Sequence, residues 1–388
     1  MTNIKQLDDA YVAHTYARFP VALVSGKGSV AVDEEGKEYI DLGTGIAVNS
    51  FGIADEAWLA AVTAQLGRLS HASNLYYTEP CAELAEMLCT RTGMKKVFFG
   101  NSGAEANECA IKAARKYAAE KHGADCFTIV TLQNSFHGRT LTTLAATGQE
   151  HYHELFQPMT PGFAHIPAGD MDALKALAQT TKIAAVMIEC VQGEGGVVPL
   201  SQDFVKDLAA FAQDHDILLI VDEVQTGNGR TGALYAYMTY GIQPDIVSTA
   251  KGLGGGLPIG ACLLGDKVKD VLGPGDHGST FGGNPASCAG AVSILSRIDD
   301  QLLAEVRKKS QWIFETLEGK SGIESVSGMG LMIGIKTTKP AAEVVKKCMA
   351  KGVLCLTAKG RVRLLPALNI PMDLLEKAVK TIIETAAE

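Results

Sequence analysis

The sequence predicts an α/β fold, in which a mostly parallel central sheet is flanked by helices and a smaller α+β domain lies beside it. Short aliphatic runs such as residues 183–188 and 217–221 are bounded by polar residues and glycines, which is typical of buried strands. These runs alternate with helical patterns from about residue 97 to residue 264, as expected for parallel strands joined by helices. After residue 286 the alternation weakens, and this change predicts the smaller domain.

Composition excludes several classes of protein. The 388 residues, 47% of them hydrophobic, exceed one typical domain and can bury a sizeable core. The net charge of -8 argues against nucleic acid or an anionic membrane as the main partner. The N-terminus lacks a signal-peptide pattern and no uncharged run has the length of a membrane span, so we expect a cytoplasmic protein. The nine cysteines occur singly, which suggests neither disulfides nor a metal site.

The first hundred residues predict an arm, a hairpin and two helices. Residues 1–20 are expected to form an N-terminal helix or arm, and residues 29–33 and 38–42 alternate like the strands of a hairpin. The expected helices cover about 55–68 and 79–92, with a polar and aromatic loop at 73–80 between them.

A strand at residues 97–99 leads into a glycine-containing turn and then a long helix through residue 121. Ser102 and Glu105 fit the capping box that begins a helix. The free N–H groups and positive dipole end of such a helix form an anion site. The same pattern also fits a well-capped helix with no ligand.

Two residues at strand ends predict a pyridine-type cofactor. Asp222 follows the strand at 217–221, and Lys251 follows the run at 245–249 and precedes glycines. A buried carboxylate keeps a pyridine nitrogen protonated, and a desolvated lysine amine can form a Schiff base with an aldehyde. Asp222 and Lys251 are therefore candidates for binding pyridoxal 5'-phosphate (PLP). Taken singly, each also fits an ordinary turn or loop residue.

Further candidates follow other strands. Phe136 and Arg139, after the strand at 126–130, could stack on a ring and bind a carboxylate, or could be a core residue and a surface ion pair. Glu194 lies among glycines after residues 183–188, and its side chain has room to move. The rest of the chain predicts a glycine-rich loop at 278–285, helices at 286–318, 340–351 and 371–387, and strands at 331–336 and 361–365.

We divide the chain into an N-terminal segment at 1–50 that joins the small domain, a large cofactor-binding domain at 51–290, and a C-terminal small α+β domain at 291–388. The boundaries follow the change in strand and helix alternation. No repeat or linker interrupts them.

Six motifs, in this order and spacing, resemble class III aminotransferases of PLP fold type I. They lie at residues 100–107, 136–139, 192–196, 222–225, 251–252 and 279–285. The resemblance covers nearly the whole chain. Within the family, residues 45–49 and 73–80 are most similar to members that act on N2-acetylornithine.

The resemblance implies a role for each matching residue. Lys251 is expected to bind PLP covalently and to move a proton during transfer, while Asp222 pairs with the ring nitrogen. The other expected cofactor contacts are Phe136 and Val224 on opposite faces of the ring, Gln225 at its phenolic oxygen, and Ser102, Gly103 and Ala104 at the phosphate.

The resemblance also implies how substrates and a second subunit are bound. Thr280 is expected to reach the phosphate in the neighbouring subunit, which implies a homodimer with shared active sites. Ser279 and Arg139 are expected to contact the substrate. Arg363 is expected to bind the α-carboxylate of glutamate or 2-oxoglutarate, and Glu194 to pair with Arg363 when the other substrate is bound.

Three departures from the family pattern are present. Residues 51–55 lack the histidines that many relatives carry there, and Ala367 stands where a second proline is common after the arginine motif. Ile46 replaces the tyrosine with which ornithine-specific members bind the free amino acid end of their substrate. Loss of that hydroxyl favours an acylated substrate.

The resemblance therefore implies reversible transfer of the δ-amino group of N2-acetylornithine to 2-oxoglutarate, as in arginine biosynthesis. Succinylornithine, N-succinyldiaminopimelate, ornithine and 4-aminobutyrate are alternative donors for the same chemistry. A PLP-binding regulator or mutase without transamination is the alternative of a different class. Two carboxylate-binding arginines with a mobile glutamate favour transamination, because a mutase does not need them.

Overall fold

The N-terminal part of the chain forms a small antiparallel sheet and helices, in a computed structural model that describes residues 4–388. The predicted hairpin is confirmed, with Val30 opposite Ile40. Of the predicted N-terminal helix or arm at 1–20, residues 4–11 are helical, and residues 1–3 lie outside the described part. The elements are α1 (Ile4–Tyr11), β1 (Leu23–Lys27), β2 (Val30–Asp33), β3 (Glu38–Asp41), the single turn α2 (Thr44–Ala47), α3 (Glu56–Arg68) and α4 (Glu79–Thr92).

The middle of the chain alternates strands and helices, as predicted. The expected strand at 126–130 begins two residues later, because Cys126 is bonded to Gly123 in a turn. The elements are β4 (Lys96–Gly100), α5 (Gly103–His122), β5 (Thr128–Leu132), α6 (Leu141–Ala146), β6 (Phe163–Ile166), α7 (Met171–Ala178), β7 (Ile183–Ile188), β8 (Val191–Gln192), β9 (Val198–Pro199), α8 (Gln202–Asp214), β10 (Leu218–Asp222), α9 (Ala236–Tyr240), β11 (Ile246–Thr249) and β12 (Gly260–Leu264), with short 3-10 turns at Glu150–Tyr152 and Lys251–Leu253.

A seven-stranded sheet in the order β4-β12-β11-β10-β7-β5-β6 forms the centre of the molecule. Strand β12 runs antiparallel to both of its neighbours, whereas the other pairs are parallel. The sheet is therefore mostly parallel, as predicted, and β12 is the exception. A parallel return needs a crossover of a dozen or more residues, and the loop from Ala250 to Ile259 is too short for one.

Helices cover the sheet and complete its core. Every residue of β7 and β10 is buried, as expected for strands with both faces covered. Helix α5 packs on the sheet through small side chains, among them the fully buried Ala106, Ala110 and Ala113. Because burying each large aliphatic side chain contributes about 1.5–3 kcal/mol, the core fixes the strand ends that carry the polar candidates.

The C-terminal part forms a second sheet with helices on it. The helical pattern predicted at 286–318 forms two helices, because Asp299 accepts a bond from the Leu302 N–H at 2.8 Å and begins the second one. The elements are α10 (Pro285–Ser296), α11 (Asp300–Leu317), β13 (Ile323–Met329), β14 (Met332–Thr337), α12 (Ala341–Ala350), β15 (Val353–Leu354), β16 (Leu356–Ala358), β17 (Arg361–Leu364) and α13 (Met372–Ala387).

The N-terminal and C-terminal parts are joined by strand pairing. Strand β15 adds in parallel to β3, so that Val353 lies opposite Ile40. The division of the chain at residues 50 and 290 stays a prediction. Among the helices of residues 4–388, none is long and apolar enough to cross a membrane.

Candidate active site

A cavity of about 460 Å³ lies at the carboxyl ends of the central strands. This is where open α/β sheets bind ligands, and the volume is ordinary for a small-molecule site. Its walls come from the segments after β5, β7, β10 and β11 and from the start of α5. The predicted site residues among its lining are Ser102, Gly103, Ala104, Phe136, Arg139, Asp222, Val224, Gln225 and Lys251.

Asp222, the last residue of β10, is buried and held by three donors. Its Oδ2 lies 2.8 Å from Nδ1 of His137 and 2.8 Å from Nδ2 of Asn107. Its Oδ1 accepts from the Val224 N–H at 3.0 Å. The carboxylate is therefore fixed in one orientation at the cavity wall. Sequence reasoning missed His137 and Asn107.

Lys251 lies just after β11 and lines the same cavity. Its backbone has a φ of 44°, in the left-handed region that non-glycine residues adopt at an energetic cost. Burial lowers the pKa of its amine, although nearby Glu194 acts in the opposite direction. Within residues 4–388 the amine has no hydrogen-bond partner. A desolvated, unpaired amine is a good nucleophile toward a carbonyl.

At the start of α5, Ser102 caps the helix as predicted, but the capping box is incomplete, because the Glu105 carboxylate bonds the Asn101 N–H and not the Ser102 N–H. The Ser102 hydroxyl accepts from the Glu105 N–H at 3.2 Å, and Glu105 in turn accepts from the Asn101 N–H at 2.8 Å. Gly103 packs against Val224, and a side chain at this glycine would approach Val224 to 2.6 Å. A helix start opens directly on the cavity, which provides an anion site.

An aromatic residue, Phe136, forms part of the cavity wall near Arg139. Phe136 lines the cavity, and the Arg139 guanidinium lies 5.4 Å from its ring centroid. The same guanidinium lies 4.2 Å from the ring centroid of Tyr152, a residue that the motifs did not indicate. Such stacking orients the arginine while its N–H groups remain free for a carboxylate.

Glu194 and Arg363, 169 residues apart in the chain, form an ion pair beside the cavity. The Arg363 Nη1 atom is 2.5 Å from Glu194 Oε1 and 3.2 Å from Gln225 Oε1. Burial would raise the pKa of Glu194, but the charge and hydrogen bond of Arg363 outweigh this and lower it. Arg363 is 3% exposed, and its Nε has no partner within residues 4–388. The structure thus brings these two predicted residues together.

Glu189, directly after β7, is a further buried carboxylate in the cavity wall. Its Oε2 accepts from the Phe136 N–H at 2.9 Å, and its Oε1 accepts from the Gly193 N–H at 3.2 Å. Burial raises its pKa to about 7 in spite of these two donors. Glu189 directly follows the apolar run at 183–188, and the sequence motifs did not indicate a role for it.

Ser279 and Thr280 lie apart from this cavity. The Ser279 hydroxyl accepts from the Gly282 N–H at 3.0 Å and lies 3.1 Å from Nδ2 of Asn101. Ser279 lines a second cavity together with Tyr76 and Tyr77. Thr280 is exposed. Its expected contact with a neighbouring subunit stays a prediction.

The residues around the main cavity fit PLP. A buried carboxylate, an unpaired lysine amine and a helix start match the ring nitrogen, the aldehyde and the phosphate of the cofactor. Phe136 and Val224 can enclose a flat ring between them. The close contact of Gly103 with Val224 leaves no room for a larger residue at the phosphate end.

Known proteins resemble the chain over its whole length. The family described as "Aminotransferase class-III" matches residues 11–386. The acetylornithine aminotransferase of Haemophilus ducreyi is 51% identical, over 99% of this chain and 98% of that protein. The acetylornithine aminotransferase of Methanothermobacter thermautotrophicus is 44% identical, over 97% of this chain and 96% of that protein.

Solved structures of aminotransferases have the same fold as this chain. The ornithine aminotransferase from Toxoplasma gondii superposes with a TM-score of 0.94 at 32% identity, over 99% of this chain and 93% of that chain. The N-acetylornithine aminotransferase from Stenotrophomonas maltophilia has a TM-score of 0.84 at 34% identity, over 98% of each chain. The family and the fold predicted from the motifs are confirmed, and the chain belongs to the class III aminotransferases.

Proposed function

We propose that the chain is a PLP-dependent aminotransferase that moves the δ-amino group of N2-acetyl-L-ornithine to 2-oxoglutarate. The products are N-acetyl-L-glutamate 5-semialdehyde and L-glutamate, a step of arginine biosynthesis. The observation that carries the proposal is the Glu194–Arg363 pair beside the cavity that holds Lys251 and Asp222. The choice of donor is supported by full-length relatives of 40–51% identity that are named acetylornithine aminotransferases.

The cofactor, when bound, supplies a protonated ring that withdraws electrons from the substrate Cα or Cδ. Asp222 is positioned to keep the ring nitrogen charged, since its carboxylate is fixed by three donors. The Lys251 amine, whose pKa burial lowers, can take a proton from the substrate carbon and return it. The start of α5 would bind its phosphate, and Phe136 and Val224 would pack against its ring.

Arg363 and Glu194 explain how one cavity accepts two different substrates. A guanidinium that is 3% exposed is costly to leave unpaired. Glu194 pairs with it while the donor occupies the site, because the δ-amino end of acetylornithine brings no carboxylate there. When 2-oxoglutarate binds, its α-carboxylate replaces Glu194 on Arg363 in a charge-assisted, two-pronged contact.

We assign Arg139 and Ile46 to the other end of the donor. Arg139 is exposed on the cavity wall and can bind the α-carboxylate of acetylornithine. Ile46 lies in a left-handed turn with a φ of 66°, and its side chain is 42% exposed. Asp41 holds this turn by accepting from the Gly43 and Thr44 N–H groups. An apolar residue at 46 suits an acyl chain better than a charged amine.

A panel of donors tests the proposal. Initial rates are measured with acetylornithine, succinylornithine, N-succinyldiaminopimelate, ornithine and 4-aminobutyrate, each with 2-oxoglutarate. We expect the highest kcat/KM with acetylornithine and parallel lines in double-reciprocal plots, as in ping-pong transfer. A higher kcat/KM with another donor contradicts the choice of substrate. Failure of every donor to yield glutamate contradicts transamination itself.

We further propose a cytoplasmic homodimer. Nine free cysteines suit a reducing compartment. Exposed Tyr76 and Tyr77 line the second cavity together with Ser279, and Phe281, which follows Thr280 in the chain, is also exposed. An exposed apolar patch of this kind suits a subunit interface. A second subunit seated on it could bring Thr280 to the partner's phosphate site.

A further inference from the structure

We propose that Glu189 is a positioning residue that couples the ring-stacking segment around Phe136 to the loop that carries Glu194. The two oxygens of one buried carboxylate accept from the backbone of both segments, 2.9 Å from the Phe136 nitrogen and 3.2 Å from the Gly193 nitrogen. Through these bonds Glu189 fixes where Glu194 lies relative to the cavity. Glu189 itself contacts the two loops.

The position of Glu189 makes it a rigid support. It follows β7, all of whose residues are buried, and its own side chain is 6% exposed. The two segments it bonds lie outside the central strands: residues 133–140 connect β5 to α6, and residues 193–197 form the turn between β8 and β9. A carboxylate on a fixed strand end that accepts from both segments fixes their relative position, because each bond restricts one segment.

The two loops also contact each other directly, without Glu189. The Gln192 side chain donates from Nε2 to the Gln133 carbonyl at 2.8 Å. Gly195 approaches the Asn134 carbonyl so closely that a Cβ atom would lie 2.6 Å from its oxygen. These contacts hold the two loops against each other in addition to the two Glu189 bonds.

Only a carboxylate can make both bonds. The side chain must accept from two N–H groups through two different oxygens. A glutamine offers one oxygen and one amide nitrogen, and its NH₂ would face a backbone N–H without a partner. An aspartate keeps the charge but is one methylene shorter, so it cannot reach both loops.

The functional consequence rests on the proposed function. Glu194 must lie on Arg363 during the donor half-reaction and leave it for 2-oxoglutarate. If the Gly193 N–H loses its anchor, Glu194 is held less firmly toward Arg363. Loss of the Glu189 bond therefore disfavours the state that binds the donor and does not disfavour the state that binds 2-oxoglutarate.

Hydrogen–deuterium exchange on the full-length chain, with and without PLP, measures the coupling without any substrate. In Glu189→Gln we expect exchange in peptides covering residues 133–139 and 191–196 to quicken together by about tenfold. The matched control is Glu223→Gln, which removes a second buried carboxylate. Glu223 accepts from the Thr226 hydroxyl and the Tyr237 N–H, and neither lies in the two loops. Its effect is expected in residues 226–237.

Steady-state kinetics of Glu189 variants then distinguish a positioning role of Glu189 from an effect of its charge. In Glu189→Gln we expect KM for the donor to rise about tenfold relative to KM for 2-oxoglutarate. Glu189 also acts electrostatically on Lys251, so a role through charge alone would survive in Glu189→Asp. We expect Glu189→Asp to show the KM change as well, and to quicken exchange in at least one of the two loops. It also serves as the test protein if Glu189→Gln does not fold.

Unchanged exchange in both loops of the variants would overturn the coupling, as would wild-type behaviour of Glu189→Asp. A wild-type chain that transfers no amino group from any donor would contradict the proposed function, while the exchange result would still decide the coupling.

Discussion

The Nδ1 atom of His137 lies 2.8 Å from Oδ2 of Asp222, and both side chains are buried. Since an ionised carboxylate only accepts hydrogen bonds, Nδ1 of His137 is the donor in this contact. The Asn107 amide donates to the same oxygen and also to the His137 carbonyl at 2.7 Å. The orientation of Asp222 therefore depends on two residues outside its own strand.

Removing the histidine donor is expected to weaken the function of Asp222 without abolishing it. In His137→Phe we expect kcat to fall roughly 10- to 100-fold, since a hydrogen bond to a charged group contributes about 1.5–3 kcal/mol. Asp222→Asn removes the charge itself, so its kcat should fall further than that of His137→Phe. Steady-state assays of kcat check both variants.

The control is His153→Phe, because His153 bonds the Leu144 carbonyl outside the cavity. The kcat of this variant should change less than about threefold. Equal kcat in His137→Phe and wild type would contradict a role for His137.

Glu194 and Arg363 are expected to give opposite kinetic signatures. Glu194→Ala leaves a buried guanidinium unpaired in the donor half-reaction, so KM for the donor should rise about tenfold or more while KM for 2-oxoglutarate stays the same or falls. Arg363→Leu removes the carboxylate site, and KM for 2-oxoglutarate should rise about 100-fold or more. Half-reaction kinetics with each substrate separate the two effects. Equal effects on both substrates in either variant would argue against exchange of partners at Arg363.

Buried Glu223 is expected to make the fold less stable as the pH rises. Burial raises its pKa to about 7, whereas the unfolded chain has the ordinary value of 4.5. Between these two values the native state binds the proton and the unfolded state does not, so the free energy of unfolding falls as the pH increases. The loss should be roughly 1–3 kcal/mol by pH 8.

Urea unfolding of wild type and Glu223→Gln between pH 5 and pH 8 measures this loss. The variant, which cannot ionise, should show a flatter dependence of stability on pH. Parallel curves for the two proteins would mean that Glu223 ionises in the native state as it does in the unfolded chain.

Replacement of Thr280 tests the proposal that two subunits share each active site. If its hydroxyl binds the phosphate of the neighbouring subunit, Thr280→Ala should weaken PLP binding about tenfold and leave the dimer intact. Absorbance titration with PLP gives the affinity, and light scattering gives the mass. Thr180→Ala, at another exposed threonine, is the matched control. An active monomer would contradict the shared site.

The sequence predicted the sheet best where burial is complete. Residues 183–188 are six apolar residues in a row, and β7 has these same bounds. The direction of β12 was not predictable from its own residues, because its apolar pattern fits either direction. The short glycine-rich connection decides it. The break between α10 and α11 depends on Asp299, a single capping residue inside a continuous helical pattern.

In the site, residues at strand ends were the easiest to find. Asp222 and Lys251 stand out because polar side chains interrupt or follow apolar runs. Asn107 lies on a helix 115 positions before Asp222, and only the packing of α5 on the sheet brings the two together. His137 lies between Phe136 and Arg139 in a segment that was already singled out, and this placement was the one signal that could have identified it.

Lys251 is the residue on which the proposed chemistry depends most. The decisive measurement is borohydride reduction of the PLP-loaded protein, followed by digestion and mass spectrometry. We predict one pyridoxyl-modified lysine, Lys251, and neither modification nor visible absorbance of a lysine-bound cofactor in Lys251→Ala. A modified peptide at another lysine, or an adduct that persists in Lys251→Ala, would contradict the proposed active site.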